Sequence, residues 1–153
     1  MIITGNINHR YCKFKFRHMQ KEDYLIREIH KISELLLGLL GKLVRKKEKG
    51  EEINEELVLN DLPLEIKKLL EFTLEDFIKL HETNKLYTLD NLETIANILH
   101  EWGDYHIHKN EPKNAEKRLE TAKELLYFID TKSGTFSFLR NSKIDQITEL
   151  LNN

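Results

Sequence analysis

From about residue 22 to 47, Ile26, Ile29, Ile32, Leu36, Leu39, Leu40 and Leu43 recur at three- and four-residue intervals, the spacing of one helix face. Leu35, Leu37 and Val44 widen the stripe past half the girth. A helix that apolar must be covered on more than one side, by its own chain or by a second copy. Gly38 and Gly41, three apart, allow a close backbone approach there. Lys49-Gly50 ends the run, and a short helix is predicted over 52–59. Asp61-Leu62-Pro63 opens another to about residue 71, because proline is tolerated in a first helical turn. Thr73 with Asp76 has the spacing of a capping box for a helix over 74–82. A polar turn over 83–89 follows, and Asp90 with Glu93 repeats the capping signal for a helix over 91–109.

Pro112 stands where the next helix begins, and Ala115, Leu119, Ala122, Leu125, Leu126 and Ile129 carry it to about residue 129. Residues 131–134 read as a loop, after which Phe136, Phe138 and Leu139 are apolar and need cover. Ser142 with Asp145 is the cap predicted for a last helix through Ile144, Ile147, Leu150 and Leu151. Strand-like alternation occurs only over 11–17. The expected fold class is all-α, with six to eight helices in antiparallel hairpins.

Composition supports one compact helical domain. The chain has 153 residues, 40% apolar and 33% charged, with two prolines and six glycines, too few for a loop-rich or all-β fold. Cys12 is the single cysteine, so neither a disulfide framework nor a cysteine-ligated zinc site can form within one chain. The longest apolar block, residues 35–40, is too short to span a bilayer, and no signal-peptide core opens the chain. A cytoplasmic location with no membrane partner follows by default.

Net charge is −2, but it is unevenly placed. Residues 1–18 hold Arg10, Lys13, Lys15 and Arg17 and no acid, which leaves 20 basic against 26 acidic residues, a net −6, in the rest. Tyr11, Phe14 and Phe16 alternate with those cations, as in a short strand or an exposed arm. The text changes at Met19. Residues 1–18 are therefore read as an extension, either foreign to the native protein or disordered, ahead of a single helical domain over 19–153. An aromatic-basic arm can stack on RNA, but this one is short and the body is acidic, so nucleic acid is not an expected partner. The cations Arg45, Lys46, Lys47 and Lys49 fall at a helix end, where they answer the helix dipole.

The stretch Ala96 to Ile129 is 34 residues long, the period of a tetratricopeptide helix pair. Gly103 and Ala115 supply small residues where two helices would cross, and Trp102 and Leu119 fill the space beside them. This stretch resembles one tetratricopeptide repeat over nearly its full length. His106 stands where a large residue such as tyrosine is usual, and Tyr127 where proline often ends the repeat. Gly41, Val44, Ile53 and Leu57 give a weaker second match. From Met19 on, the chain is also similar to a family of short bacterial helical proteins to which no activity is assigned. That likeness rests on Asp23-Tyr24-Leu25-Ile26-Arg27-Glu28-Ile29, on the run to Gly41-Lys42-Leu43, and on Thr73-Leu74-Glu75-Asp76. Both resemblances imply a right-handed array of helical hairpins.

The candidate chemistry is sparse. No nucleophile elbow, phosphate loop or dinucleotide fingerprint is present, so no catalytic residue, enzyme activity or cofactor is expected. His100, Asp104 and His108 form one column at four-residue spacing. The two histidines are about 12 Å apart along the axis at 1.5 Å per residue, so the three cannot share one metal ion. In the repeat register Asn97, His100, Asp104 and His108 match the face that lines a peptide-binding groove. The expected function is a non-enzymatic protein- or peptide-binding adaptor. The alternatives are a small-molecule- or metal-binding protein using the His100, Asp104 and His108 face, or a purely structural homo-oligomer. A homodimer through the first helix is expected in either case.

Overall fold

In the computed structural model the backbone is described over residues 3–153, and the side chains of Arg17 and of 19–153. Seven helices follow one another: α1 (Ile3–Glu48), α2 (Glu55–Leu59), α3 (Leu64–Leu69), α4 (Leu74–Thr83), α5 (Leu89–His108), α6 (Pro112–Ser133) and α7 (Phe138–Asn152). Among the described residues there is no strand. The alternation over 11–17 lies on helical backbone, because α1 runs without a break from Ile3. Whether Tyr11, Phe14 and Phe16 pack on anything lies outside the described side chains.

Helix ends follow local chemistry. Arg45, Lys46 and Lys47 close α1, where cations meet the negative end of the helix dipole. The Thr73 hydroxyl accepts from the Asp76 amide at 3.3 Å and the Asp76 carboxylate accepts from the Thr73 amide at 3.0 Å, the reciprocal capping box foreseen for α4. Two expected caps move. Thr88, not Asp90, caps α5, its hydroxyl accepting from the Asn91 amide at 3.2 Å. Asp90 instead sits in the first turn, and Glu93 turns away to Arg140 at 3.2 Å. Ser137, not Ser142, caps α7, so the last helix starts at Phe138. Pro112 opens α6 as expected, and α6 runs on to Ser133 because its stop is Gly134, held at φ 65° where a left-handed cap suits glycine.

The core forms where α1, α5, α6 and α7 meet. Leu36, Leu39 and Leu43 of α1 pack with Ile95, Leu99 and Trp102 of α5, Leu119, Ala122 and Leu126 of α6, and Ile144 and Ile147 of α7. Each leucine and isoleucine among them contributes about 1.5–3 kcal/mol when taken from water. α5 and α6 make the most extensive helix pair, followed by α1 with α5 and α6 with α7. A Cβ built on Gly103 would lie 2.6 Å from Leu119 Cγ and 3.4 Å from the Ala115 carbonyl oxygen, so only glycine permits this approach of α5 to α6. Gly38 and Gly41 have open space beside them, with no described residue within 4 Å of a Cβ placed there.

Phe136, Phe138 and Leu139 were expected to be covered and are instead exposed. The buried residues of α7 are Arg140, Ile144 and Ile147, which leaves Phe138 and Leu139 on the first turn facing out. Phe136 stacks edge-on against Phe138 with centroids 6.0 Å apart.

Candidate functional site

The four residues singled out on α5 have different fates. His100 and Asp104 are 5% and 6% exposed, Asn97 is half-buried, and His108 is exposed. Their burial comes from α1, whose buried Leu36, Leu39 and Leu43 bring its C-terminal turn alongside α5. Lys47, at that turn, forms an ion pair with Asp104 and a second with Glu101 at 3.2 Å. His108 completes the group, its Nδ1 3.2 Å from the Asp104 carboxylate and 2.8 Å from the Asp104 carbonyl oxygen. Burial alone would lower the Lys47 pKa, but the hydrogen bond to Asp104 and the charge of Glu101 outweigh it and hold the ammonium above its ordinary value. The basic end of α1 thus does more than answer a dipole: it is stitched to α5.

His100 has the opposite environment. Its Nδ1 is buried without a hydrogen-bond partner, and burial pushes its pKa below the ordinary imidazole value, against the pull of Glu101 and with the push of Lys143. Lys143 reaches this neighbourhood from α7. Burial lowers its pKa, Glu101 opposes that and Lys47 adds to it. Among the described residues Lys143 has no carboxylate in ion-pair contact. Three helices, α1, α5 and α7, therefore bring Lys47, Glu101, Asp104, His100 and Lys143 within electrostatic range of one another. Lys47, Glu101 and Lys143 were missed in the sequence, since nothing in one helix reveals which lysine of another will lie against it.

A second polar cluster lies between α5 and α6. Arg118, almost fully buried, places its guanidinium 5.2 Å from the Trp102 ring centre. It donates to Glu55 at 2.8 Å and reaches Glu71 at 3.5 Å, tying α2 and the segment after α3 to α6. Its other nitrogen lies 2.9 Å from His106 Nε2, while His106 Nδ1 lies 2.9 Å from Glu111. An arginine only donates, so Nε2 must accept and Nδ1–H donates to Glu111, which fixes a neutral tautomer. His106, the departure from the repeat pattern, is thus the inner link of a buried network. A buried cation matched by carboxylates, over an aromatic ring, is a locking device and offers no free group for chemistry.

Among the described residues no three His, Cys, Asp or Glu side chains are placed to hold one metal ion. No helix there is long and apolar enough to cross a membrane. A surface cleft of about 470 Å³ is lined by Ile107, Asn110, Pro112, Glu116, Leu150, Leu151 and Asn153. None of the four α5 residues lines it. No protein-family model, no curated protein and no solved structure matches the chain.

Proposed function

We propose that this chain is a non-enzymatic adaptor that binds a protein segment or peptide on the face shared by α1, α5 and α7, in a tetratricopeptide-like array of helical hairpins. The observation that carries the reading is Lys143, a partly buried ammonium near His100 that makes no ion pair with a described carboxylate. A partly buried ammonium without an ion-pair partner suits a carboxylate supplied from outside. Asn97, one turn before His100, offers donors and an acceptor for a backbone amide. The close approach at Gly103 further supports a repeat-like hairpin. Asp104 and His108 serve differently from the first expectation: Asp104 is engaged by Lys47, so it holds the wall of the face and leaves contact with a ligand to its neighbours. A cytoplasmic location is part of this proposal and rests on composition alone.

The test is a peptide-library screen against the full chain, with free and blocked C-termini, repeated with Lys143→Ala and with Asn97→Ala. Binding that weakens at least tenfold with both variants, while both keep the parent melting temperature, supports the face. Binding that is indifferent to both variants, or a screen without binders, overturns it.

A further inference from the structure

α1 carries two apolar stripes; the first is buried within the chain, and of the second only Leu40 packs against the core. The first, through Ile32, Leu36, Leu39 and Leu43, packs in the core against α5. At 100° per residue the second lies about a quarter-turn away and repeats every seven residues: Met19, Ile26, Ser33 and Leu40 in one row, and Leu37 and Val44, preceded by the polar Asp23 and His30, in the other. Met19 is 54% exposed, Ile26 51% and Leu37 54%. The short helices α2, α3 and α4 leave this stripe open. α1 is also far longer than its support. Its 46 residues span about 69 Å, whereas the 20 residues of α5 span about 30 Å. A long exposed helix with a second heptad seam presents a surface that a matching helix can pack on.

We infer that the occupant is α1 of a second copy, packed antiparallel on the Ile26, Ser33, Leu37 and Val44 seam. Charge selects the direction. Residues 42–49 contain Lys42, Arg45, Lys46, Lys47 and Lys49 against Glu48, a net +4. Residues 20–28 contain Lys21 and Arg27 against Glu22, Asp23 and Glu28, a net −1. A parallel pair sets +4 against +4, whereas an antiparallel pair with Ile26 opposite the partner copy's residue 44 sets +4 against −1 at both ends. Ser33 then lies opposite Leu37, a small residue against a large one, and each copy contributes the same patch, as a two-fold axis requires. The overlap of residues 22–48 is about 40 Å long. The seam is distinct from the α5 contact, so dimerisation and the proposed peptide face stand or fall separately.

Sedimentation of the full chain at micromolar concentration should give twice the 18.2 kDa chain mass. Ile26→Glu with Leu37→Glu should give the single-chain mass with undiminished helical content, because both side chains are already exposed in one copy. In a Cys12→Ser background, Ile26→Cys chains mixed with Val44→Cys chains should form a mixed disulfide on oxidation, while Ile26→Cys chains alone should not cross-link. A single-chain mass for the unaltered protein overturns the dimer. A dimer that survives the double substitution overturns the seam. Efficient cross-linking of Ile26→Cys chains to one another overturns the antiparallel direction.

Discussion

Replacing Gly103 with alanine is a sharp probe of how α5 meets α6. In an exposed helix the change would stabilise, since glycine costs about 1 kcal/mol relative to alanine. Here the added methyl would sit 2.6 Å from Leu119 Cγ and 2.7 Å from its Cδ2. Carbon atoms rest at about 3.5–4.0 Å, so the approach is about 1 Å too close. Leu119 is wholly buried, and the Ala115 carbonyl oxygen lies at 3.4 Å on the other side. The helices must part, at a typical overpacking cost of about 1–3 kcal/mol. Subtracting the propensity gain leaves a net loss of up to about 2 kcal/mol, or a fall of several degrees in Tm at about 2–4 °C per kcal/mol for a chain of this size. Gly103→Leu should be worse. Leu119→Ala alone should cost about 2–5 kcal/mol, but the double variant Gly103→Ala with Leu119→Ala should lose less than the sum, because the methyl fills part of the space vacated. Urea unfolding of the four proteins measures this coupling. A Gly103→Ala protein that melts higher than the parent would refute the close crossing.

Other perturbations follow from the same structure. Trp102→Ala removes a fully buried ring and the support under Arg118, and should cost about 3–5 kcal/mol in denaturant titration. Arg118→Met keeps most of the volume but leaves His106 Nε2 buried without a donor, at about 1–3 kcal/mol; an unchanged unfolding midpoint would show that the network is ornamental. Burial holds the folded His100 pKa below its ordinary 6.5, so the unfolded chain takes up that proton first as pH falls. Its contribution to stability is whole above about pH 6.5 and is lost progressively below it. The urea midpoint should therefore fall more steeply between pH 7.5 and 5 for the parent than for His100→Leu, and parallel pH profiles would contradict the burial of the imidazole.

Legibility followed the range of the interaction. The helix class, the break at Gly50 and the capping box at Thr73 came from spacing within a turn or two, which one sequence displays, and the Gly103 crossing from the 34-residue repeat-like register that sets it against Ala115. The caps of α5 and α7 were displaced because Asp90 with Glu93 and Ser142 with Asp145 carry the fuller capping-box signal, whereas Thr88 and Ser137, followed by Asn91 and Arg140, cap without an acid three residues on. The α5 face was half legible. Its polar column could be read, but the burial of His100 and Asp104 depended on Lys47, 57 residues before Asp104, and on Lys143 from α7. The exposed Phe136, Phe138 and Leu139 were misjudged because apolar character does not say which side of a first turn faces the core.

The central claim is that the α1, α5 and α7 face binds a protein segment. Hydrogen–deuterium exchange of the full chain, with and without a peptide selected by the screen, tests it most directly. The account predicts slowed exchange over residues 97–108 of α5 and around Lys143 of α7. Slowed exchange confined to the cleft near Pro112 and Leu151, or to the exposed start of α7, would contradict it.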